Sequence, residues 1–396
     1  MRLFLVGFFV FCCSTLYGQE YIEITGANYS LASIGPGEGA NDPLATEVLR
    51  LLNWSGVFDV KGDQEATDLT LSFTRYPDIA KLQVHGMDGL VFYTGVIPLP
   101  VLGAKEEAKG QATKIISALT GERPKFNSAI VYATNSALEG HRLVMTDFLG
   151  VRQKTLSADG KIVLLPRWNP SSTAVTYTYL SDHGVQGVIL SLKGKREMIN
   201  PGIGKTLESI FTANKNRMLL NLSVRGNADF YWYNRSQGSV QRSTSRSAIE
   251  ASPDLNHRGD LLLFISDRSG SVQVYQKNLK TGKSWRMTFG GRYNAEPTWS
   301  PTGKFFAFSG LVKGRYQIFL MDVQGRKQRQ LSFGAGSNEQ PRFSPDGRQI
   351  LFVHKSKGIQ KLYLMRTDGS FVRRLTESPD NVQEYNPDWS DKEIRW

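Results

Sequence analysis

Residues 201–206 read PGIGKT, and the last three, Gly204-Lys205-Thr206, match the end of a phosphate-binding P-loop. A P-loop has another glycine five positions before the second one, where backbone N–H groups turn toward the phosphate. Here that position is Ile199, a β-branched residue that resists the positive φ such a turn uses. A P-loop also opens a helix, whereas PGIGKT precedes two stretches with the pattern of short strands. The sequence therefore favours a turn between strands over a nucleotide site.

A second glycine-rich stretch, SIGPGEGA at residues 33–40, resembles a dinucleotide-binding loop only loosely. Its spacing is Gly35-x-Gly37-x-x-Ala40, between a strand pattern and a helix pattern. Glu38 would place a negative charge against a pyrophosphate, and Pro36 removes one of the backbone donors that the loop needs. We therefore interpret the stretch as a turn into a capped helix.

Other residues that could perform catalysis are isolated from one another in the sequence. The sequence has no Gly-x-Ser-x-Gly nucleophile motif. Both cysteines, Cys12 and Cys13, lie in an N-terminal apolar run, so the remaining chain has no thiolate for chemistry or zinc. The five histidines show no i, i+4 ligand pair: His85, His141, His183, His257 and His354. The sequence thus predicts a protein that is not an enzyme and binds neither a cofactor nor a metal.

The N-terminal residues have the composition of a secretory signal. Arg2 precedes an apolar run over residues 3–13, and the small Gly18 provides a cleavage position. We predict that residues 1–18 are a signal peptide and that the mature protein is exported to a bacterial periplasm. It should be peripheral to membranes, because no other stretch is long and apolar enough to span a bilayer.

Charge divides the rest of the chain into two parts. Residues 19–126 carry 9 basic and 14 acidic side chains, whereas residues 127–396 carry 38 basic and 22 acidic ones. The basic residues of the second part are scattered along the sequence and form no stripe of the kind that binds nucleic acid. We therefore expect two domains and no nucleic-acid partner.

Residues 19–126 show mixed helix and strand patterns and predict a small α/β domain. Helical spacing over residues 46–52 follows Asn41 or Asp42, either of which could cap the helix. A second amphipathic helix is predicted over residues 104–121, ending at Gly121. The strands are predicted at residues 57–60, 68–76, 81–87 and 90–98.

From residue 127 onward the sequence repeats about every 44 residues. PTWSPTGKFFAFSG begins at 297 and PRFSPDGRQILFVH at 341, and related stretches begin at 166, 209, 253 and 387. Each full unit contains four strand-like segments separated by turns rich in Gly, Asp and Ser. Four strands per unit of this length predict a β-propeller blade.

The count of strands also predicts how the ring closes. Residues 127–157 contain only three strand segments, and the last unit, PDWS at residues 387–390, contains only the leading one. Joined together they complete one blade and give six in total. We therefore predict that residues 127–396 form a six-bladed all-β propeller in which the C-terminal strand pairs with the first blade.

The whole chain resembles the TolB family, whose members have a signal peptide, a small α/β domain and such a propeller. The stretches that carry the resemblance are LTGERPKFNSAIVYAT (119–134), SAIEASPD (247–254), FISDRSG (264–270), YNAEPTWSPTGK (293–304) and RFSPDGRQILFV (342–353). The third blade departs from the pattern, with Ser209 in place of Pro and TANK (212–215) in place of Ser-Pro-Asp-Gly.

The resemblance implies a protein-binding role within the Tol-Pal system, as a monomer in a complex that supports outer-membrane integrity and cell division. The propeller mouth would bind the peptidoglycan-associated lipoprotein Pal, and the mature N-terminus would bind the inner-membrane protein TolA. By position, the expected mouth residues in the loops before each inner strand are Lys205, Thr206, Glu208, Glu250, Ser252, Asn294, Glu296, Asn338, Glu339, Glu384, Tyr385 and Asn386. The expected N-terminal motif is Tyr21, Ile22, Glu23 and Ile24.

Two other functions are compatible with a propeller. One is binding of peptidoglycan or another carbohydrate, which the basic second domain permits. The other is hydrolysis by acidic residues near the central channel, which many propellers could supply.

Overall fold

The computed structural model describes residues 31–62, 65–101, 103–182, 184–244, 248–325 and 327–394. The predicted signal peptide (1–18) and the predicted N-terminal motif, Tyr21 to Ile24, lie outside the described residues. The chain forms two compact units, with the boundary between Pro124 and Lys125. None of the helices within the described ranges is long and apolar enough to cross a membrane.

The N-terminal unit is a five-stranded sheet with two helices. Its elements are β1 (Ala32–Pro36), α1 (Pro43–Trp54), β2 (Phe58–Val60), β3 (Leu69–Arg75), β4 (Ile79–Gly86), β5 (Val91–Pro98) and α2 (Ala104–Thr120). The strand order is β2-β1-β3-β4-β5, with β1 parallel to both neighbours and the remaining pairs antiparallel. The two helices pack against each other. The predicted α/β domain is thus confirmed.

Both helices begin or end where the sequence indicates. The carboxylate of Asp42 caps α1 by accepting a hydrogen bond from the Leu44 N–H at 2.9 Å, with Pro43 at the first helical position. α2 ends at Thr120 and is capped by Gly121, which adopts a left-handed conformation. Its apolar face is buried: Ala108, Ala112, Ile115, Ile116 and Leu119.

The glycine-rich stretch between β1 and α1 packs against strand β3. The Gly37 N–H donates to the Leu71 carbonyl, and the Phe73 N–H donates to the Glu38 carbonyl, both at 2.8 Å. A Cβ on Gly39 would lie 1.8 Å from the Phe73 carbonyl oxygen, so only glycine fits there. These glycines permit close contact between backbones. The Gly37 N–H, which a dinucleotide phosphate would need as a donor, is already bonded to the Leu71 carbonyl.

The second unit contains six four-stranded antiparallel sheets. We number them blades 1 to 6 and give the strands of each from the inner to the outer edge. Blade 1 has β29 (Gln383–Glu393), β6 (Ser128–Ser136), β7 (Gly140–Asp147) and β8 (Gln153–Gly160). Blade 2 has β9 (Ile162–Trp168), β10 (Ala174–Ser181), β11 (Gly184–Ser191) and β12 (Arg196–Ile199). Blade 3 has β13 (Lys205–Phe211), β14 (Arg217–Val224), β15 (Asn227–Asn234) and β16 (Ser239–Arg242).

The last three blades repeat the same order. Blade 4 has β17 (Glu250–Leu255), β18 (Leu261–Ser266), β19 (Gln273–Asn278) and β20 (Ser284–Arg286). Blade 5 has β21 (Asn294–Trp299), β22 (Phe305–Val312), β23 (Arg315–Asp322) and β24 (Gln328–Gln330). Blade 6 has β25 (Ser337–Phe343), β26 (Gln349–Ser356), β27 (Ile359–Arg366) and β28 (Arg373–Arg374).

The second strand of each blade is apolar on both faces because each sheet packs between two others. Phe264, Phe308 and Phe352 occupy equivalent positions in three successive blades, and each is at most 2 % exposed. The Phe308 ring stacks on the Phe319 ring of the next strand, with 5.4 Å between centroids. Between blades, buried side chains of neighbouring sheets form shared apolar clusters, such as the one that contains Leu320 of blade 5 and Phe352 of blade 6.

The C-terminal strand closes the ring, as predicted. β29 pairs antiparallel with β6, placing Tyr385 opposite Ala133 and Trp389 opposite Ile130. The Trp389 Nε1 donates to the Ser128 hydroxyl at 2.8 Å, and the Ala129 N–H donates to the Ser390 hydroxyl at 2.8 Å. The predicted six-bladed propeller with C-terminal closure is thus confirmed.

The PGIGKT stretch is the connection between blades 2 and 3. It follows β12, which ends at Ile199, and leads into β13, which begins at Lys205. Gly204 has a φ of 63°, and a Cβ there would lie 2.7 Å from the Ser223 carbonyl oxygen. The stretch opens a strand where a P-loop would open a helix.

Candidate interaction surface at the propeller mouth

The six inner strands enclose a central channel and all begin at the same face of the propeller. We call this face the mouth. It also carries the crossovers, which run from the outer strand of one blade to the inner strand of the next, and the hairpins between second and third strands. Every predicted mouth residue is on an inner strand near this face, within the strand itself, whereas the sequence placed these residues in the preceding loops.

Five of the six inner strands contain a bulge at an X-Pro step. The residues before these prolines are Leu165, Ser252, Glu296, Gln340 and Asn386, and their φ values lie between 49° and 59°. At each of these steps the residue-by-residue pairing between the inner strand and the second strand is interrupted by a register shift. A bulge turns a side chain away from its regular direction. In these five strands, the residues at the mouth end therefore point differently from the alternation in the rest of the strand.

Hydrogen bonds connect these bulge residues from blade to blade. A Glu296 carboxylate oxygen accepts from the Gln340 N–H at 2.8 Å, and the Gln340 side-chain oxygen accepts from the Asn386 N–H at 2.6 Å. The Asn386 side-chain oxygen in turn accepts from the Leu165 N–H at 3.3 Å. Leu165 has no polar side chain to extend the series. Hydrogen bonds therefore join the inner strands at the mouth from blade 5 through blades 6 and 1 to blade 2.

Six of the predicted mouth residues are buried, which corrects the expectation that their side chains form an accessible rim. They are Thr206, Glu208, Glu250, Asn294, Asn338 and Glu384, each at most 5 % exposed. Asn294 Nδ2 donates to Gln273 Oε1, and Asn338 Nδ2 donates to Gln317 Oε1, both at 2.9 Å. The physical reason is the repeat: Asn294, the first residue of β21, and Asn338, the second residue of β25, each contact the third strand of the preceding blade.

The three buried acids of this group are also paired inside the protein. Glu384 accepts hydrogen bonds from the Leu362 N–H at 3.1 Å and from the Ser378 hydroxyl at 2.5 Å. Glu250 forms an ion pair with Arg268, and burial raises its pKa despite that cation. Glu208 pairs with a guanidinium inside the channel. A partner would have to displace these contacts to reach any of the three.

The other predicted residues remain accessible at the mouth. Lys205 is exposed, and Ser252, Glu296, Glu339, Tyr385 and Asn386 are partly exposed. Desolvation and repulsion from Glu296 raise the pKa of Glu339, and Lys355 opposes the shift. The Tyr385 hydroxyl is hydrogen-bonded to His141 Nδ1 at 2.9 Å, and burial raises the pKa of Tyr385 to about 12.

Below the bulges, the channel is crossed by a network of buried charges that sequence reasoning missed. The Arg167 guanidinium lies 2.8 Å from Glu208, 3.6 Å from Asp388 and 3.9 Å from Asp254. Arg342 lies 3.4 Å from Asp388. Burial and the neighbouring Arg167 lower the pKa of Arg342.

A repeating position in the sequence could have revealed this network. Four of the five charged residues, all except Glu208, follow the bulge proline directly and precede an aromatic residue or Leu, as in Pro166-Arg167-Trp168 and Pro387-Asp388-Trp389. The second position of that triplet lines the channel in the five blades that have the proline, so the charges at these positions lie close to one another.

The channel widens into a cavity of about 580 Å³ at the end away from the mouth. Its walls include Arg167, Arg342, Asp254 and Asp388 and the turns that follow the inner strands. Asp391 lies at its edge, where desolvation and the nearby Asp388 raise the pKa of Asp391 to about 6. Among the residues that the structure describes, no group of three His, Cys, Asp or Glu side chains could hold a metal ion.

These features define the class: a six-bladed propeller with a polar mouth over a charged central channel. The TolB β-propeller domain family model matches residues 116–393. The chain therefore belongs to the TolB family.

Curated relatives match more locally. A stretch is 31 % identical over 148 residues to the Tol-Pal system protein TolB of Dinoroseobacter shibae, covering 35 % of this chain and 32 % of that protein. The protein of the same name from Wolinella succinogenes is 24 % identical over 146 residues, covering 36 % and 34 %. The chain thus spans about a third of the length of these relatives.

One solved structure shares the fold over nearly the whole chain. The crystal structure of TolB from Acinetobacter baumannii matches with a TM-score of 0.76 at 23 % identity, covering 93 % of this chain and 99 % of that one. At this identity, the likeness supports the shared fold of the two chains.

Proposed function

We propose that this chain is a non-enzymatic protein-binding component of a Tol-Pal envelope system. The observation that carries the proposal is the family match over residues 116–393, together with the curated relatives that are named as Tol-Pal system proteins. In this proposal the protein is exported by a cleavable signal peptide and acts in the periplasm, where it supports outer-membrane integrity and cell division.

The mouth is the proposed binding site for a Pal-like outer-membrane lipoprotein. The accessible residues Lys205, Ser252, Glu296, Glu339, Tyr385 and Asn386 are proposed to contact it directly. The buried residues Thr206, Glu208, Glu250, Asn294, Asn338 and Glu384 are proposed to hold those contacts in place. Fixed polar groups favour binding because less side-chain entropy is lost on association. A TolA-like inner-membrane protein is the proposed partner of residues 19–24, with Tyr21, Ile22, Glu23 and Ile24 as its motif.

Isothermal titration calorimetry of the mature protein with the soluble domain of its own Pal-like lipoprotein tests this function. We expect binding at micromolar concentration or tighter. Glu296→Lys should weaken it at least about 10-fold, since it removes the carboxylate that accepts from the Gln340 N–H and so loosens the mouth. Glu250 is unsuitable for the same test because it is fully buried. A natively folded protein, verified by circular dichroism, that does not bind at micromolar concentration would contradict the proposal.

A further inference from the structure

The two most exposed aromatic side chains among the described residues of the propeller lie on one sector of the mouth. Phe289 and Phe333 are 71 % and 72 % exposed, although both are large aromatic residues. They lie in the crossovers from blade 4 to 5 and from blade 5 to 6, at equivalent positions 44 residues apart. Large aromatic side chains that are exposed on neighbouring crossovers are more often part of an interface than of a free surface.

The backbone that presents the two phenylalanines is fixed on its N-terminal side. The Thr288 hydroxyl accepts from the Val274 N–H at 2.9 Å and donates to Gln273 at 2.8 Å. The Ser332 hydroxyl makes the same two bonds in the next blade, with the Ile318 N–H and Gln317, both at 2.8 Å. Thr288 and Ser332 are buried and directly precede the exposed rings. We call the buried pairs Thr288–Gln273 and Ser332–Gln317 the polar clamp; it fixes the backbone that carries the exposed rings.

The same crossovers are fixed by a second set of bonds. Arg286 Nε donates to the Thr288 carbonyl at 2.6 Å, and Gln330 Nε2 donates to the Ser332 carbonyl at 2.7 Å. The Arg286 guanidinium also lies over the Phe289 ring, 5.1 Å from its centroid. Asn294 Nδ2, which also donates to Gln273, donates to the Gly290 carbonyl at 2.7 Å on the C-terminal side of Phe289. Such preorganisation lowers the entropic cost of binding.

Blade 6 contains the same crossover without the aromatic residue. Arg374 Nε donates to the Thr376 carbonyl at 2.7 Å, as in the two preceding blades. The next residue, 44 positions after Phe333, is the exposed Glu377. The turn therefore forms with either side chain, and neither phenylalanine is needed for its geometry.

Unpaired positive charge lies on the same blades. Five exposed cations of blades 5 and 6 have no carboxylate within 4.0 Å among the described residues: Arg292, Lys313, Arg315, Lys355 and Lys357. At the mouth of blades 1 and 2 the charges are instead paired, with Arg142 2.9 Å from Glu139 and Lys161 2.8 Å from Asp182. We call Phe289, Phe333 and the five cations the basic–aromatic sector.

We propose that the partner docks off the channel axis, on the basic–aromatic sector, through an apolar patch bordered by acidic side chains. The charge complementarity of the sector identifies an acidic protein surface as its occupant. This inference rests on the proposed function, because the partner used to test it is the Pal-like lipoprotein. Each phenylalanine would insert into the apolar patch, and the cations would accelerate encounter and fix orientation.

The test is calorimetric titration of the lipoprotein's soluble domain into four proteins: wild type, Phe289→Ala/Phe333→Ala, Lys313→Glu/Arg315→Glu and the matched control Glu377→Ala. We expect the aromatic double variant to raise the Kd at least about 30-fold, as for removal of interface anchors. The charge-reversed variant should raise it about 10-fold and lose most of the wild type's salt dependence between about 50 and about 300 mM sodium chloride. Glu377→Ala should stay within about threefold.

The outcomes separate this inference from the proposed function. Wild-type binding with an unchanged Kd in the aromatic double variant overturns the off-axis site and leaves the function standing. Failure of the wild type itself to bind overturns both. Binding of phosphatidylglycerol vesicles that depends on the same residues, with no effect of the variants on the lipoprotein, would assign the sector to a membrane and also overturn the proposal.

Discussion

Individual charged side chains in the central channel have the strongest energetic consequences. Arg167 is buried and is the only described cation that contacts Glu208, Asp254 and Asp388 together within 4.0 Å. A buried ion pair stabilises the folded protein little more than apolar side chains of the same size would. Removal of one partner is nevertheless costly, because it leaves an uncompensated buried charge. The inner strands of blades 1, 2, 3 and 4 are therefore joined through one side chain.

We predict that Arg167→Met destabilises the propeller by about 3–5 kcal/mol, because three carboxylates lose their shared cation. Urea unfolding followed by tryptophan fluorescence measures the change. Arg167→Met/Glu208→Gln should recover part of the loss, since it removes one of the unpaired charges. A loss below about 1 kcal/mol for the single variant would show that water already screens the network.

At the scale of elements, the crossovers between blades are the parts that the repeat fixes most tightly. Met287, Leu331 and Leu375 occupy equivalent positions, and the N–H of each donates to a third-strand carbonyl at 2.8 Å. The residue that follows is Thr or Ser in each case. The buried hydroxyls of Thr288 and Ser332 thus accept hydrogen bonds from third-strand N–H groups that have no partner in the ladder.

We predict that Gln317→Ala destabilises the crossover from blade 5 to blade 6 and costs about 2 kcal/mol, since Ser332 and Asn338 each lose a buried partner. Amide hydrogen exchange of residues 331–338 should accelerate at least about 10-fold. Gln328→Ala, at an exposed position of the same blade, is the matched control and should change neither quantity. Equal exchange in both variants would argue against the clamp.

At the scale of the whole molecule, the ring depends on a single strand from the end of the chain. Trp389 is 6 % exposed, and its ring centroid lies 6.1 Å from that of Phe148. Without β29, strand β6 would become a long apolar edge, which favours aggregation. Closure therefore joins residues that are about 250 positions apart in sequence, such as Tyr385 and Ala133.

We predict that Trp389→Ala costs about 3–5 kcal/mol, as expected for a large buried aromatic residue. Removal of residues 383–396 should produce aggregates on size-exclusion chromatography, because the β6 edge is then unpaired. Trp285→Ala, which changes a 47 % exposed tryptophan of blade 4, should leave stability almost unchanged. A truncated chain that remains monomeric with the wild-type melting temperature would contradict the role of closure.

Much of this organisation could be predicted from the sequence. The 44-residue period, the incomplete units at residues 127–157 and 387–390 and the cap at Asp42 are local patterns. Turn residues and apolar alternation act over a few neighbours, so they predict strands and blades without knowledge of the packing. Ile199 and Glu38 exclude nucleotide-binding loops for an equally local reason, because each occupies a position within the loop itself.

The mouth could be predicted only in part. The sequence located the correct end of each inner strand but could not distinguish the buried Asn294 and Asn338 from the accessible Glu296 and Glu339. Their burial depends on which side chain of the preceding blade lies opposite, and here those side chains are Gln273 and Gln317. A two-residue bulge then turns the next side chain toward the channel, and single-sequence patterns do not show its direction.

The two-part architecture, the number of blades and the closing strand could be predicted from the sequence, because repeat length and turn chemistry are local properties. The accessible polar residues, the charges that meet in the channel and the sector of the mouth that presents Phe289 and Phe333 were known only once the packing of the blades was known. Those properties arise where blades with different sequences come together around a ring. The physical reason is that burial and charge pairing depend on neighbours that are distant in sequence, whereas strand formation does not.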